Sequence, residues 1–129
     1  MDYPTDRKYT RNDEWVRVEG DMGTAGITHY AQEALSDIVY VEMPSVGDSF
    51  SKGDAFASVE SVKAAAEIYL PLSGTISATN ELLSTTPETI NADPHGKGWI
   101  ARFSLTDPAE LDSLLDAAAY EKYCEERKA

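Results

Sequence analysis

Glu60-Ser61-Val62-Lys63-Ala64-Ala65-Ala66-Glu67 sets one lysine between two arms of alternating hydropathy. On the near side Ala57 and Val59 share one face and Ser58 and Glu60 the other. On the far side Ile68 and Leu70 are apolar against Glu67 and Tyr69. Period-two alternation is the mark of half-buried strands. Val62 to Glu67 is built largely from good helix formers, but a helix confined between two strands would be too short to hold without strong packing. The reading is therefore a tight hairpin with Lys63 at its tip, held out from the domain for chemical modification. Gly47-Asp48 and Gly53-Asp54 supply the turns that bound short strands upstream. Pro44 with Gly47 and Pro71 with Gly74 repeat one spacing on either side of the lysine, a trace of two similar halves.

At 129 residues the chain fits one domain, 1–129, large enough to bury a core without disulfides or metals. Its 23 acidic against 11 basic residues give a formal net charge of -12, a field that repels nucleic-acid backbones and anionic lipid surfaces. The same field favours encounter with basic patches on protein partners. The single cysteine, Cys124, cannot form an intramolecular disulfide, which suits a reducing compartment. No run approaches a membrane span, and the acidic start Met1-Asp2-Tyr3-Pro4 lacks the parts of a signal peptide, so the expected location is cytoplasmic.

Trp15 to Glu19 alternates as an opening strand and ends at a turn through Gly20 to Gly23. Thr28 is placed to cap a short helix through Leu35, and Ile38 to Met43 returns to strand. Leu82 to Ile90 reads as irregular structure or a helical turn interrupted by Pro87, and Trp99 to Leu105 as a strand. Asp107-Pro108-Ala109-Glu110 carries a helix-start signature, after which Leu111, Leu114, Leu115 and Ala118 fall on one face. A second short helix from Asp116 turns Tyr120, Tyr123 and Cys124 inward, with Lys122, Arg127 and Lys128 toward its end, so residues 107–127 form a helical tail.

Catalytic patterns are sparse. His29 and His95 lie far apart in sequence, without a second histidine or a cysteine at ligand spacing, and read as turn or surface residues. Gly20, Gly23 and Gly26 fail the dinucleotide pattern, and Gly96-Lys97-Gly98 lacks the rest of a P-loop. A carrier needs only a displayed lysine, a stiff tip and a recognition surface. Small Ala64 and Ala65 leave room for an enzyme to close over Lys63.

The segment from Val46 to Asn80 resembles a lipoyl- or biotinyl-carrier domain. Several blocks occur in order across nearly the whole chain: Asp13-Glu14-Trp15-Val16, Gly26-Ile27-Thr28 with Tyr30-Ala31-Gln32, Asp37 to Val41, Glu60-Ser61-Val62-Lys63-Ala64, Ile90-Asn91 with Asp93-Pro94, and Gly98-Trp99-Ile100. Together they resemble the H-protein family of the glycine cleavage system. The resemblance implies a mainly β hybrid barrel-sandwich of two small antiparallel sheets, monomeric and not itself catalytic, with lipoic acid in amide linkage to Lys63. Glu60, Ser61, Val62 and Ala64 would be the recognition surface around the attachment point.

The implied cycle has three partners. A pyridoxal-phosphate glycine decarboxylase loads an aminomethyl group on the arm, a tetrahydrofolate-dependent aminomethyltransferase takes its one-carbon unit and releases ammonia, and a flavin dihydrolipoyl dehydrogenase reoxidises the dithiol. A lipoate ligase or an octanoyl transferase would install the arm. Burying three or four methylenes of that arm, at roughly 0.8 kcal/mol each, would favour its docked state by about 100-fold. The resemblance also places Glu14 near the loaded, cationic arm, as a residue that cradles it. Asp13 stands where the family commonly has histidine, so no role of that histidine carries over.

Other readings stay open at this level. Biotin carriers resemble Met-Lys-Met at the tip, where this chain has Val62-Lys63-Ala64. Lipoyl domains of 2-oxoacid dehydrogenases usually carry aspartate before the lysine and sit in longer chains. A lipoyl relay that donates lipoate to other enzymes would have the same sequence features. An unmodified acidic interaction domain is the reading from a different class.

Overall fold

Small residues and alternating arms sort the chain into two antiparallel sheets. The structure, a computed structural model, describes residues 3–128. Met1, Asp2 and Ala129 lie outside the described residues, as does the side chain of Lys128. In chain order the elements are β1 (Lys8–Tyr9), β2 (Glu14–Glu19), β3 (Met22–Ile27), α1 (His29–Leu35), β4 (Ile38–Glu42), β5 (Ser49–Phe50), β6 (Ala55–Ser61), β7 (Ala65–Tyr69) and β8 (Gly74–Thr79). There follow α2 (Leu82–Thr85), α3 (Thr89–Ala92), β9 (Ala101–Leu105), a 3-10 helix (Pro108–Ser113) and α4 (Ala117–Lys128).

The larger sheet has the order β1-β2-β3-β9-β8-β5 and the smaller β4-β6-β7. Neither closes into a barrel, and they pack as the mainly β barrel-sandwich expected from the sequence. Val16 and Ile27 from the larger sheet meet Val41, Val59 and Ile68 from the smaller in one buried cluster. The alternation around the lysine holds. Ala57, Val59, Ile68 and Leu70 are buried, and Glu60 and Glu67 are exposed.

The two Gly-Asp corners brace the sheets by the same device. Gly47, at φ +97, donates to the Ile76 carbonyl, and Gly53, at φ +89, donates to the Leu70 carbonyl. At Gly26 the need is for space. A Cβ there would lie 2.9 Å from the Trp15 ring.

The helical tail differs from expectation. The start at Asp107 makes only the 3-10 helix, and Asp107 contributes no side-chain cap. Glu110, the residue that would close the capping box, instead accepts from the backbone N–H and hydroxyl of Ser73, at 2.7 and 2.8 Å. Leu114 and Leu115 leave the helix, Leu115 bridges to Tyr9, and Ala118 is exposed, so these residues share no helical face. The second helix forms as expected. Asp116 Oδ1 accepts from the Ala119 N–H, and Tyr120 and Cys124 are buried. They join Tyr9 and Trp15 in a separate cluster, with the Tyr9 and Tyr120 rings stacked at 4.9 Å. Pro87 lies between α2 and α3, as the interrupted pattern suggested. The strand expected from Trp99 starts at Ala101.

Candidate functional site

Ser61 builds the tip. Its hydroxyl donates to the Ala64 carbonyl at 3.0 Å and accepts from the backbone N–H of Lys63 and of Ala64, at 3.1 and 2.9 Å. The Ser61 N–H closes the turn on the same carbonyl at 2.7 Å. From outside the hairpin, the Val62 N–H donates to the Asp37 carbonyl at 3.0 Å, tying the tip to the loop between α1 and β4. Val62, Lys63 and Ala64 are exposed on this frame, and Glu60 faces solvent opposite Ala65 in the ladder. The four residues predicted around the lysine, together with Lys63, therefore form one braced projection. Lys63 Nζ donates to the Ala34 carbonyl, 3.3 Å away at the end of α1.

Thr28 caps α1, its hydroxyl accepting from the Ala31 N–H at 3.2 Å, as the sequence indicated. Between α1 and the β6–β7 hairpin opens a cleft of about 220 Å³. Its walls are largely apolar, with Ile27, Ala31 and Leu35 on one side and Ala66 and Ile68 on the other. Ala34, which receives the Lys63 amine, belongs to the same lining, and so do Glu14 and Glu67. Ile27 and Ala31 fall in the blocks quoted for the resemblance, but nothing in the sequence joined them to Leu35, Ala66 and Ile68 as one cleft; their shared position beside the hairpin does.

Glu14 is 2% exposed. One carboxylate oxygen accepts from the Thr10 hydroxyl at 2.6 Å and the other from the Tyr69 N–H at 3.1 Å. Burial pushes its pKa from 4.5 up to about 7, against the opposing pull of those two hydrogen bonds. A carboxyl so placed changes charge near neutrality. A second cleft, of about 320 Å³, lies on its other side and is shared by Arg11 and Lys52.

Asp13 holds a left-handed backbone, φ +66. Its carboxylate takes both Arg127 guanidinium N–H groups, at 2.6 and 3.1 Å, and the Tyr120 hydroxyl at 2.7 Å. That network joins residues 114 positions apart and had no sequence signal. His29 and His95, expected as unrelated turn or surface residues, are brought together. His95 is half-buried and its Nε2 accepts from the His29 N–H at 3.2 Å, while burial lowers its pKa to about 4. No group of three or more His, Cys, Asp and Glu among the described residues could hold a metal. No described helix is long and apolar enough to cross a membrane.

One lysine held clear of a stiff β hairpin, with an apolar cleft running from beneath it, defines a carrier fold. The chain matches the glycine cleavage H-protein family over residues 7–127. It is 53% identical over 126 residues to the glycine cleavage system H protein of Acidobacterium capsulatum, covering 98% of this chain and 97% of that one. To its counterpart in Thermotoga maritima it is 52% identical over 118 residues, covering 92% and 95%. The crystal structure of a glycine cleavage system H protein from Mycobacterium marinum superposes with a TM-score of 0.86 at 36% identity, covering 94% of this chain and 98% of that one. The chain belongs to the glycine cleavage H-protein family.

Proposed function

We propose that the chain, acting as a single domain, carries a lipoyl arm on Lys63 in the glycine cleavage system. Glu60, Ser61, Val62 and Ala64 would form the surface that the modifying ligase or octanoyl transferase reads. The observation that carries this reading is the continuity of the site. The Lys63 amine rests on Ala34, and Ala34 lines a cleft that runs between apolar walls to the buried carboxyl of Glu14. Apolar walls suit an aliphatic chain, and a carboxyl where the cleft meets the core suits a cationic end, so these residues fit the group.

When attached, the lipoyl group supplies a strained cyclic disulfide that accepts the aminomethyl group and electrons. The protein does the rest by placement. Ser61 stiffens the tip, so that Lys63 meets an enzyme in one geometry and little ordering cost remains on docking. Amide formation removes the amine charge and with it the ion-dipole part of its contact with the Ala34 carbonyl. Ile27, Leu35, Ala66 and Ile68 exclude water from a docked arm. Glu14, ionised, holds a cationic end inside the cleft, and each further buried methylene adds about 0.8 kcal/mol to the docked state. The chain then passes from decarboxylase to aminomethyltransferase to dihydrolipoyl dehydrogenase. Its net charge of -12 would speed each encounter with a basic partner surface.

The test is intact mass with peptide mapping after incubation with a lipoate ligase, lipoic acid and ATP. One lipoyl addition, on Lys63 and absent from Lys63→Arg, is expected. A folded chain left unmodified by a ligase active on a control would end the carrier reading. For Glu14, the Glu14→Gln protein once loaded should lose its aminomethyl group to hydrolysis faster than wild type, and an unchanged lifetime would remove the residue from the cleft's chemistry.

A further inference from the structure

We propose that Arg127, on the C-terminal helix, is a positioning residue for the arm cleft: through its fork on Asp13 it sets the placement and charge environment of Glu14. The proposal rests on the reading of Glu14 given above, but its closing measurement does not need a loaded arm.

Three contacts make Arg127 a fixed point. Its guanidinium lies 3.9 Å from the Tyr30 ring centroid and 4.1 Å from that of Tyr123, stacked on both. Its two terminal nitrogens reach both oxygens of Asp13. A bidentate pair of this kind orients as well as attracts. Asp13 in turn occupies the left-handed backbone region, which aspartate, like asparagine, enters more readily than most residues but still at a steric cost. The fork together with the Tyr120 hydroxyl holds its side chain there. Asp13 immediately precedes Glu14, so the corner it makes decides where β2 starts and how Glu14 enters the core.

The same network reaches the opposite wall. The Asp13 carbonyl accepts from the Thr28 N–H at 2.9 Å, and the Tyr120 hydroxyl lies 2.7 Å from the hydroxyl of Thr28, which caps α1. One helix thus fixes the residue at the end of the cleft and the start of the helix that walls it. Arg127 also balances the Asp13 charge beside Glu14. The other charged or titratable groups facing Glu14 are Glu67 across the first cleft, and Arg11, Lys52, Tyr9 and Tyr69 around the second. Arg127 itself spends its guanidinium hydrogen bonds, among the described residues, on Asp13 and the Cys124 sulfur.

The experiment follows the Glu14 carboxyl by carbon-detected NMR titration in the unmodified chain. In Arg127→Gln the Asp13 carboxylate faces Glu14 unbalanced, and the Glu14 midpoint should rise by about half a unit to one unit. Arg127→Lys, which keeps the charge and loses the fork, should fall between the two. Adding Asp13→Asn to Arg127→Gln should return the midpoint to the wild-type value or below, since asparagine tolerates the left-handed corner without bringing a charge. General loosening of the fold would expose Glu14 and lower its midpoint, the opposite direction. An unmoved or lowered midpoint in Arg127→Gln overturns the proposal. If instead the midpoint moves as stated while loaded Glu14→Gln keeps its lifetime, the positioning stands and the cradling role of Glu14 falls.

Discussion

Replacing Glu14 by glutamine isolates the proton linkage of the buried carboxyl. Its pKa rises from 4.5 to about 7 on folding, so the folded chain holds this proton more tightly than the unfolded one. A carboxyl shifted upward contributes its full share of stability below the unfolded pKa, and that share is lost as pH rises through the folded one. Each unit between the two values is worth about 1.4 kcal/mol. At about pH 5 the unfolded form is already mostly ionised and the loss is about 1 kcal/mol, whereas at about pH 8 it is about 3 kcal/mol. Glutamine does not titrate, and its own misfit against Thr10 and the Tyr69 N–H is the same at both values. Urea unfolding of the two unmodified proteins, compared at about pH 5 and about pH 8, should therefore show glutamine gaining on glutamate by about 2 kcal/mol between the two conditions. A gap that stays constant within about 0.5 kcal/mol would mean that the carboxyl titrates as an exposed one, and the burial argument would be wrong.

Ser61→Ala removes the hydroxyl that makes three contacts within the tip, worth together about 1 kcal/mol in this exposed setting. Amide exchange at Ala64 should speed up by about five-fold with little change in global unfolding, and an unchanged rate would deny the hydroxyl its bracing role. Gly26→Ala sets a Cβ against the Trp15 ring and should cost about 2 kcal/mol, more than the roughly 1 kcal/mol of Gly20→Ala, which meets open space at φ +63; thermal unfolding in the reverse order would contradict the packing. His95, held to about 4 by burial, should show ring carbon shifts that stay flat from about pH 8 to about pH 5, and a midpoint within that range would place the ring in solvent.

What the sequence revealed, and what it hid, follows from how far apart the deciding residues lie. The hairpin around Lys63 was legible because its two arms alternate with period two and both partners of the ladder are local. The Thr28 cap was legible for the same reason. Strand β3 was not, because Met22-Gly23-Thr24-Ala25-Gly26-Ile27 lacks the large β-formers that usually mark a strand. Its small residues answer the bulk of its neighbours: Gly26 lies under Trp15 and Gly23 against Phe103. The capping signature after Asp107 misled because Glu110 spends its carboxylate on Ser73, 37 residues away, and the local box never closes. Glu14 came only from the resemblance, since a lone glutamate before a tryptophan carries no burial signal. The link from Arg127 to Asp13 had no local trace at all.

Glu14 also bears on why such a residue persists in a small core. A buried carboxyl with two hydrogen bonds costs the unmodified chain about 3 kcal/mol above neutrality, a large share of what a domain of this size has in hand. Glutamine would fill the same volume without that cost. Volume alone therefore gives no reason for an acid; the two donors, Thr10 and the Tyr69 N–H, give one, and a cation arriving in the cleft gives another: it would lower the carboxyl's pKa, ionise it and offset the burial penalty only when bound. The empty cleft would then hold a partly neutral acid and little charge to trap solvent cations, and the loaded cleft an ion pair sheltered by Ile27, Leu35 and Ile68. On this account the fold is less stable without the arm docked, and docking of a cationic arm should raise the unfolding temperature more at about pH 8 than at about pH 5. An equal rise at both values would mean that the arm is held by its methylenes alone.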